Sequence, residues 1–206
     1  MMATTHAFLG LVVTVLVLPV AGRHAPATAV LTAAFLGGLA PDLDLVTSHR
    51  KPLHFPVVLP VAAGTCFVAY GVLGGQSLFL LAVGLAAAGF HSVTDVLGGG
   101  IGYEPWRGTS SKAVYNHVLG RWHRPRRLVR YSGAPEDFAL GGAVGVPVVL
   151  APETGPAVDA VLIAVLVGSG VYAATRRRFG AVARSLRAVF PSWLVDAVPA
   201  VKFEDG

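Results

Sequence analysis

Long apolar runs alternate with short polar interruptions along this chain. The runs cover about 7–22, 25–40, 55–75, 77–97, 138–151 and 157–174. A membrane span needs roughly 20 apolar residues, within a range of about 17–25. The third run meets this unaided, and the fourth does so only by carrying His91 and Asp95. The other four are short, but a short run can span when its polar ends are buried against protein or line a wet cavity. The pattern predicts an all-α integral membrane protein with about six transmembrane helices. No basic segment precedes the first run, and Val20, Ala21 and Gly22 only loosely suggest a cleavage site, so this run reads as a retained helix and not a signal peptide.

Two segments break the pattern. From Gly98 to Asp137 the chain is Gly-rich, then aromatic, then basic, with Arg121, Arg124, Arg126, Arg127 and Arg130 close together. After Ala174 come Arg176, Arg177 and Arg178, then Phe179, Val182, Ala183, Leu186, Val189, Phe190 and Trp193 at helical spacing. This composition suits helices lying in the headgroup region. The predicted organisation is a six-helix membrane domain over 1–174, with a basic loop at about 98–137, and an amphipathic basic tail over 175–206. Interfacial helices are expected in both the loop and the tail.

Composition supports the membrane reading. The 206 residues are 54% hydrophobic and 13% charged, about half the charged fraction of a soluble domain. A net charge of +5 would suggest nucleic acid in a soluble protein; here it fits juxtamembrane Lys and Arg facing anionic lipid. With six helices, every one of the 16 Lys and Arg residues except Arg23 falls on one side. The positive-inside rule then places both termini in the cytoplasm of a multi-pass protein of the cell (inner) membrane. Cys66 is the only cysteine, which excludes an intramolecular disulfide or a Cys-based zinc site.

Ionisable residues at membrane helix ends are functional candidates, and seven share one level in this topology. His6 opens the first helix, and Asp42 and Asp44 close the second. His49 and His54 precede the third, and His91 and Asp95 lie near the end of the fourth. His91 and Asp95, four residues apart, share a helix face. Asp42 and Asp44 follow a helix C-terminus, whose partial negative charge favours a cation. Each residue has a separate ordinary explanation: a helix-ending Asp, a solvated His49 beside Arg50, an interfacial His54, a structural His91–Asp95 hydrogen bond. One metal centre accounts for all of them. The predicted ligands are His6, Asp42, Asp44, His54, His91 and Asp95, with His49 as a ligand or proton-transfer group. Imidazole and carboxylate suit a divalent ion such as Zn, Mn, Fe or Mg.

The same residues resemble the membrane-bound, metal-dependent hydrolases of the YdjM type, described as LexA-binding inner-membrane proteins. That family's pattern is an early His, then Pro-Asp-x-Asp, then His-Arg-x-x-x-His, then His-x-x-x-Asp. It is matched by His6, Pro41 to Asp44, His49-Arg50 to His54, and His91 to Asp95, over about residues 1–108. In place of the family's frequent Thr-Pro segment, Gly98 to Gly100 leads to Tyr103-Glu104-Pro105-Trp106, and Leu53 and Phe55 replace its Ser or Thr. The stretch from Ser110 to Asp137 and the tail look like a prokaryotic, haloarchaeal branch. The resemblance implies a catalytic metal at the cytoplasmic face.

Glu104 and His117 are further candidates for general acid–base chemistry, with no spacing to select between them. Arg124, Arg126, Arg127 and Arg130 either set topology or hold an anionic lipid or phosphoester. Two non-enzymatic readings compete. A metal-ion or proton transporter needs polar groups on both faces, and here Asp159 is the main residue away from the cytoplasmic level. In a lipid- or partner-binding module, Trp106, Trp122 and Tyr131 interleave with basic residues, but no nucleic-acid recognition motif is present.

Overall fold

Six α-helices follow the six apolar runs: α1 (Ala3–Ala21), α2 (Ala27–Leu39), α3 (Val58–Leu73), α4 (Gln76–Thr94), α5 (Pro135–Val149) and α6 (Pro156–Val189). The computed structural model describes residues 1–21, 25–46, 49–102, 104–150 and 155–189. Short 3-10 turns extend two of the helices, Ala40–Val46 after α2 and Asp95–Leu97 after α4.

Among the described residues, three helical stretches are long and apolar enough to cross a membrane: Ala27–Leu45, Gln76–Leu97 and Pro156–Phe179. That is fewer than the six predicted. Ala3–Thr14 and Val58–Leu73 are apolar but shorter. α3 stops at Gly74, whose positive φ of 70° ends the helix, and α5 carries Pro147 within its 15 residues.

α4 packs against α1, α2 and α3, while α1 also packs against α5, and α5 against α6. Phe8, Leu11, Val30, Leu31, Ala34, Phe79, Val83, Ala87 and Leu162 form the buried core between them. Glycines let the backbones approach closely, as small residues do where helices meet in lipid. A Cβ on Gly37 would meet the Gly84 carbonyl oxygen at 2.2 Å, and one on Gly38 would meet the His6 carbonyl oxygen at 2.5 Å. The close contact brings the start of α1 and the ends of α2 and α4 together at one end of the bundle.

The loop after α4 differs from its prediction. Between Gly98 and Ala134 the described residues form no interfacial α-helix, only a 3-10 turn at Pro105–Arg107 and a two-residue antiparallel ladder, β1 (Tyr115–Asn116) with β2 (Arg121–Trp122). Glycine and proline interrupt the segment repeatedly, and its backbone groups pair elsewhere. Arg126, Arg127 and Val129 donate their N–H groups to the carbonyls of Val96, Gly98 and Leu97, and Tyr115 N–H donates to the Arg50 carbonyl. The loop therefore lies as a cap over the polar end of the bundle. α6 also differs, continuing unbroken through Arg176–Arg178 to Val189 where a separate interfacial helix was expected; Ala and Arg are strong helix formers. The rest of the predicted tail, with Phe190 and Trp193, lies outside the described residues.

Candidate metal centre

The 3-10 turn after α2 decides which aspartate faces the centre. At 3.0 residues per turn, side chains two positions apart point in different directions. Asp42 and Asp44 accordingly serve two different neighbourhoods. Asp42, His54, His91 and Asp95 each bring one ligand atom to a common point, all within 4.8 Å of one another. His54 Nε2 lies 3.1 Å from His91 Nε2, 3.2 Å from Asp95 Oδ2 and 3.7 Å from Asp42 Oδ1. His91 Nε2 lies 3.6 Å from both Asp42 Oδ1 and Asp95 Oδ2. Metal–ligand bonds of about 2.0–2.2 Å put neighbouring ligand atoms about 3.0–3.5 Å apart in octahedral to tetrahedral geometry, close to these five distances.

The tautomers strengthen this fit. His91 Nδ1 donates to the Gly38 carbonyl oxygen at 2.6 Å, and His54 Nδ1 donates to Asp44 Oδ2 at 2.9 Å. A carbonyl and an ionised carboxylate only accept, so both protons sit on Nδ1. Both Nε2 lone pairs then face each other across 3.1 Å. Two facing lone pairs repel unless a proton or a metal ion lies between them, and this group offers a place for either. Asp42 Oδ1 is beyond hydrogen-bond reach of its three imidazole neighbours, at 3.6, 3.7 and 3.8 Å, and the buried Asp95 Oδ2 has no hydrogen-bond partner. Three buried carboxylates, Asp42, Asp44 and Asp95, face the Arg50 guanidinium and the Met1 ammonium. Of these, Asp95 lies against both cations, with Arg50 Nε at 3.2 Å and the Met1 amine at 2.9 Å, and buried charge of this kind persists only where it is paired.

The remaining predicted residues support these four. His6 Nε2 donates to Asp95 Oδ1 at 2.8 Å, with the Met1 amine 2.9 Å from the same oxygen, so His6 holds the aspartate by the oxygen facing away from the four-atom group. The His6 ring stacks on His91 with centroids 3.7 Å apart. Asp44 accepts from His49 Nδ1 at 2.9 Å and from the backbone N–H groups of Arg50 and Lys51, both at 3.2 Å. A carboxylate behind a ligating histidine fixes its tautomer and raises its basicity. His49 lies at the open edge, 3.8 Å from Asp42 Oδ1. Burial pushes its imidazole below the usual value, against the pull of the Asp44 hydrogen bond and with help from Arg50.

Glu104 and His117 lie away from this group. Glu104 pairs with Arg107 at 2.6 Å. His117 donates through Nε2 to the Lys51 carbonyl at 2.7 Å and stacks on Phe55, which ties the hairpin to the loop before α3. Two of the candidate arginines also have structural partners. Arg127 donates to the carbonyls of Gly108 and Ser110, and Arg130 binds Glu136 through two nitrogens, holding that carboxyl down to about 2.

Asp42, His49 and Arg50 open onto a cavity of about 590 Å³ whose far wall is α6, at Gly168, Ser169, Tyr172, Arg176 and Phe179. Asp42 is 8% exposed, against 0–1% for His54, His91 and Asp95. The centre is thus closed on three sides and open on one. Sequence reasoning missed the Gly38 carbonyl, Arg50 and the α6 wall. Arg50 sits inside the His-Arg-x-x-x-His motif, so its place in the sequence was a usable signal; the other two become visible only once the helices are packed. No family model, no curated protein and no solved structure matches the chain.

Proposed function

We propose that this chain is a membrane-embedded, metal-dependent hydrolase of the YdjM type. The observation that carries the reading is the pair of Nε2 atoms facing each other between two carboxylates, with one edge open to a cavity. Structural metal sites are closed, whereas catalytic ones keep a position for water or substrate. Asp42, His54, His91 and Asp95 would hold a divalent ion, which would supply Lewis-acid polarisation of a water and of the scissile-bond oxygen. Asp44 and the Gly38 carbonyl keep both imidazoles in the ligating tautomer. His49, neutral and at the open edge, accepts the proton that water loses, and Asp44 stabilises the resulting imidazolium. Arg50 holds Asp95 in place through its contact with Oδ2, 3.2 Å away. The six helices span the membrane with both termini cytoplasmic, as the one-sided distribution of Lys and Arg supports.

Metal analysis of the purified full chain tests the proposal. The wild type is expected to hold a divalent ion that Asp42→Ala and His91→Ala lose, together with hydrolysis of ester substrates. A metal-free wild type that stays metal-free after incubation with Zn or Mn sinks the proposal.

A further inference from the structure

The cavity beside the metal centre has two chemically different parts. Its ionisable side chains are Asp42, His49 and Arg50 beside the centre and Arg176 on α6. The rest of the wall is largely apolar or small, including Leu45, Ile101, Gly168 and Phe179. Arg176 is held by aromatic rings, with its guanidinium carbon 5.2 Å from the Trp106 centroid and 5.9 Å from that of Tyr172. Such stacking holds a guanidinium by its faces. Of the charged side chains on the cavity wall, Arg50 is paired with Asp95; the others are Arg176 and Asp42, and a divalent ion on Asp42 would add positive charge to the same cavity as Arg176. An anionic ligand suits this part.

The height of Arg176 narrows the choice. At 1.5 Å per residue it lies about 30 Å along α6 from Pro156, which matches the roughly 30 Å hydrocarbon thickness of a bilayer. A helix starting at one membrane boundary therefore delivers Arg176 to the other, where lipid phosphates lie. Only 11% of the apolar window of α6 is buried, so the helix walling the cavity has its other face toward lipid. The chemistry adds a further restriction. An acyl ester can be cleaved but is neutral at the scissile group, and a free carboxylate is anionic but has no bond to hydrolyse. A phosphate ester is both anionic and cleavable.

We propose that the substrate is an amphiphile with a phosphate-ester headgroup, its phosphate positioned by Arg176 and its chain lying along Leu45, Ile101, Gly168 and Phe179. This rests on the hydrolase reading above. In the reaction the water oxygen bonds to phosphorus and the bond from phosphorus to the lipid alcohol oxygen breaks. The electron pair leaves with that oxygen, which takes up the proton given up by water. Water and ester become a lipid alcohol and a phosphate.

The test is a binding measurement that needs no turnover. A long-chain alkylphosphonate brominated in its chain cannot be hydrolysed and quenches nearby tryptophan. With the full chain in detergent it is expected to quench Trp106 saturably, a signal lost in Trp106→Phe. Arg176→Gln is expected to weaken binding at least 10-fold, with partial recovery in Arg176→Lys. Gly168→Leu fills the cavity where a Cβ meets nothing within 4 Å, and it is expected to abolish binding while the protein stays folded. Unchanged affinity in both Arg176→Gln and Gly168→Leu overturns the proposal. So does equal binding of a trimethylammonium amphiphile. Competition by inorganic phosphate as strong as that by the long-chain compound assigns the site to a soluble phosphate instead. A wild type that holds metal yet does not bind the phosphonate defeats this inference alone, whereas a metal-free wild type defeats the hydrolase reading.

Discussion

At the scale of single residues the centre depends on groups that do not touch the common point. Asp44 is the chief of these, since its two oxygens gather both His49 and His54. Asp44→Asn keeps the size but replaces one acceptor oxygen with a donor, which frees His54 to take the wrong tautomer. Metal affinity is expected to fall about 10–100-fold, with a larger loss in Asp42→Ala, as competition with a chromophoric chelator would measure. Equal losses in the two variants would make Asp44 a ligand in its own right. Much of this was legible in the sequence. The four-residue spacing of His91 and Asp95 fixes a shared face, and these two do meet. What spacing alone left open was the division of labour in Asp42-Leu43-Asp44, because it follows from the turn being 3-10. The arginine at the cavity was not legible either. Arg124, Arg126, Arg127 and Arg130 stand out as a cluster, but the cavity is set by tertiary packing and Arg176 lines it.

At the scale of elements, the approach of α2 to α1 and α4 sets the precision of the centre. Gly38 contributes twice, through its missing side chain and through the carbonyl that binds His91. Gly38→Ala forces backbone against backbone, so α1 and α2 must separate. A destabilisation of about 1–3 kcal/mol is expected, together with weakened metal retention. Gly64→Ala on α3 meets nothing within 4 Å, so it is expected to be neutral or stabilising by up to about 1 kcal/mol. Thermal unfolding in detergent with and without added metal separates the two. If Gly38→Ala matches Gly64→Ala in both readouts, the close approach is not what holds the site. The six helices were legible as apolar runs. The irregular cap over 98–134 was not, because basic and aromatic composition is common to interfacial helices and to loops, and only the pairing of its backbone with the end of α4 distinguishes them.

At the scale of the molecule, the proposed six-span arrangement makes a directional prediction. In a Cys66→Ala background, Gln76→Cys lies at the start of α4, at the end of the bundle opposite the metal centre, while Ser111→Cys lies in the cap over it. A membrane-impermeant maleimide is expected to label Gln76→Cys in intact cells and Ser111→Cys only after permeabilisation. Labelling of Ser111→Cys in intact cells would reverse the orientation, and equal labelling of both positions would change the number of spans.

The unbroken course of α6 has a consequence for where such a protein can work. On the proposed reading, one helix both crosses the bilayer and carries Arg176, which would couple the depth of the cavity to membrane thickness. In a thicker bilayer the helix stands more upright and the phosphate plane moves outward past the arginine; in a thinner one the helix tilts and lowers it. Lipid chain length is thereby turned into alignment or misalignment of headgroup and metal centre. If that coupling holds, hydrolysis measured in vesicles is expected to follow chain length in the surrounding lipid even where the headgroup stays the same.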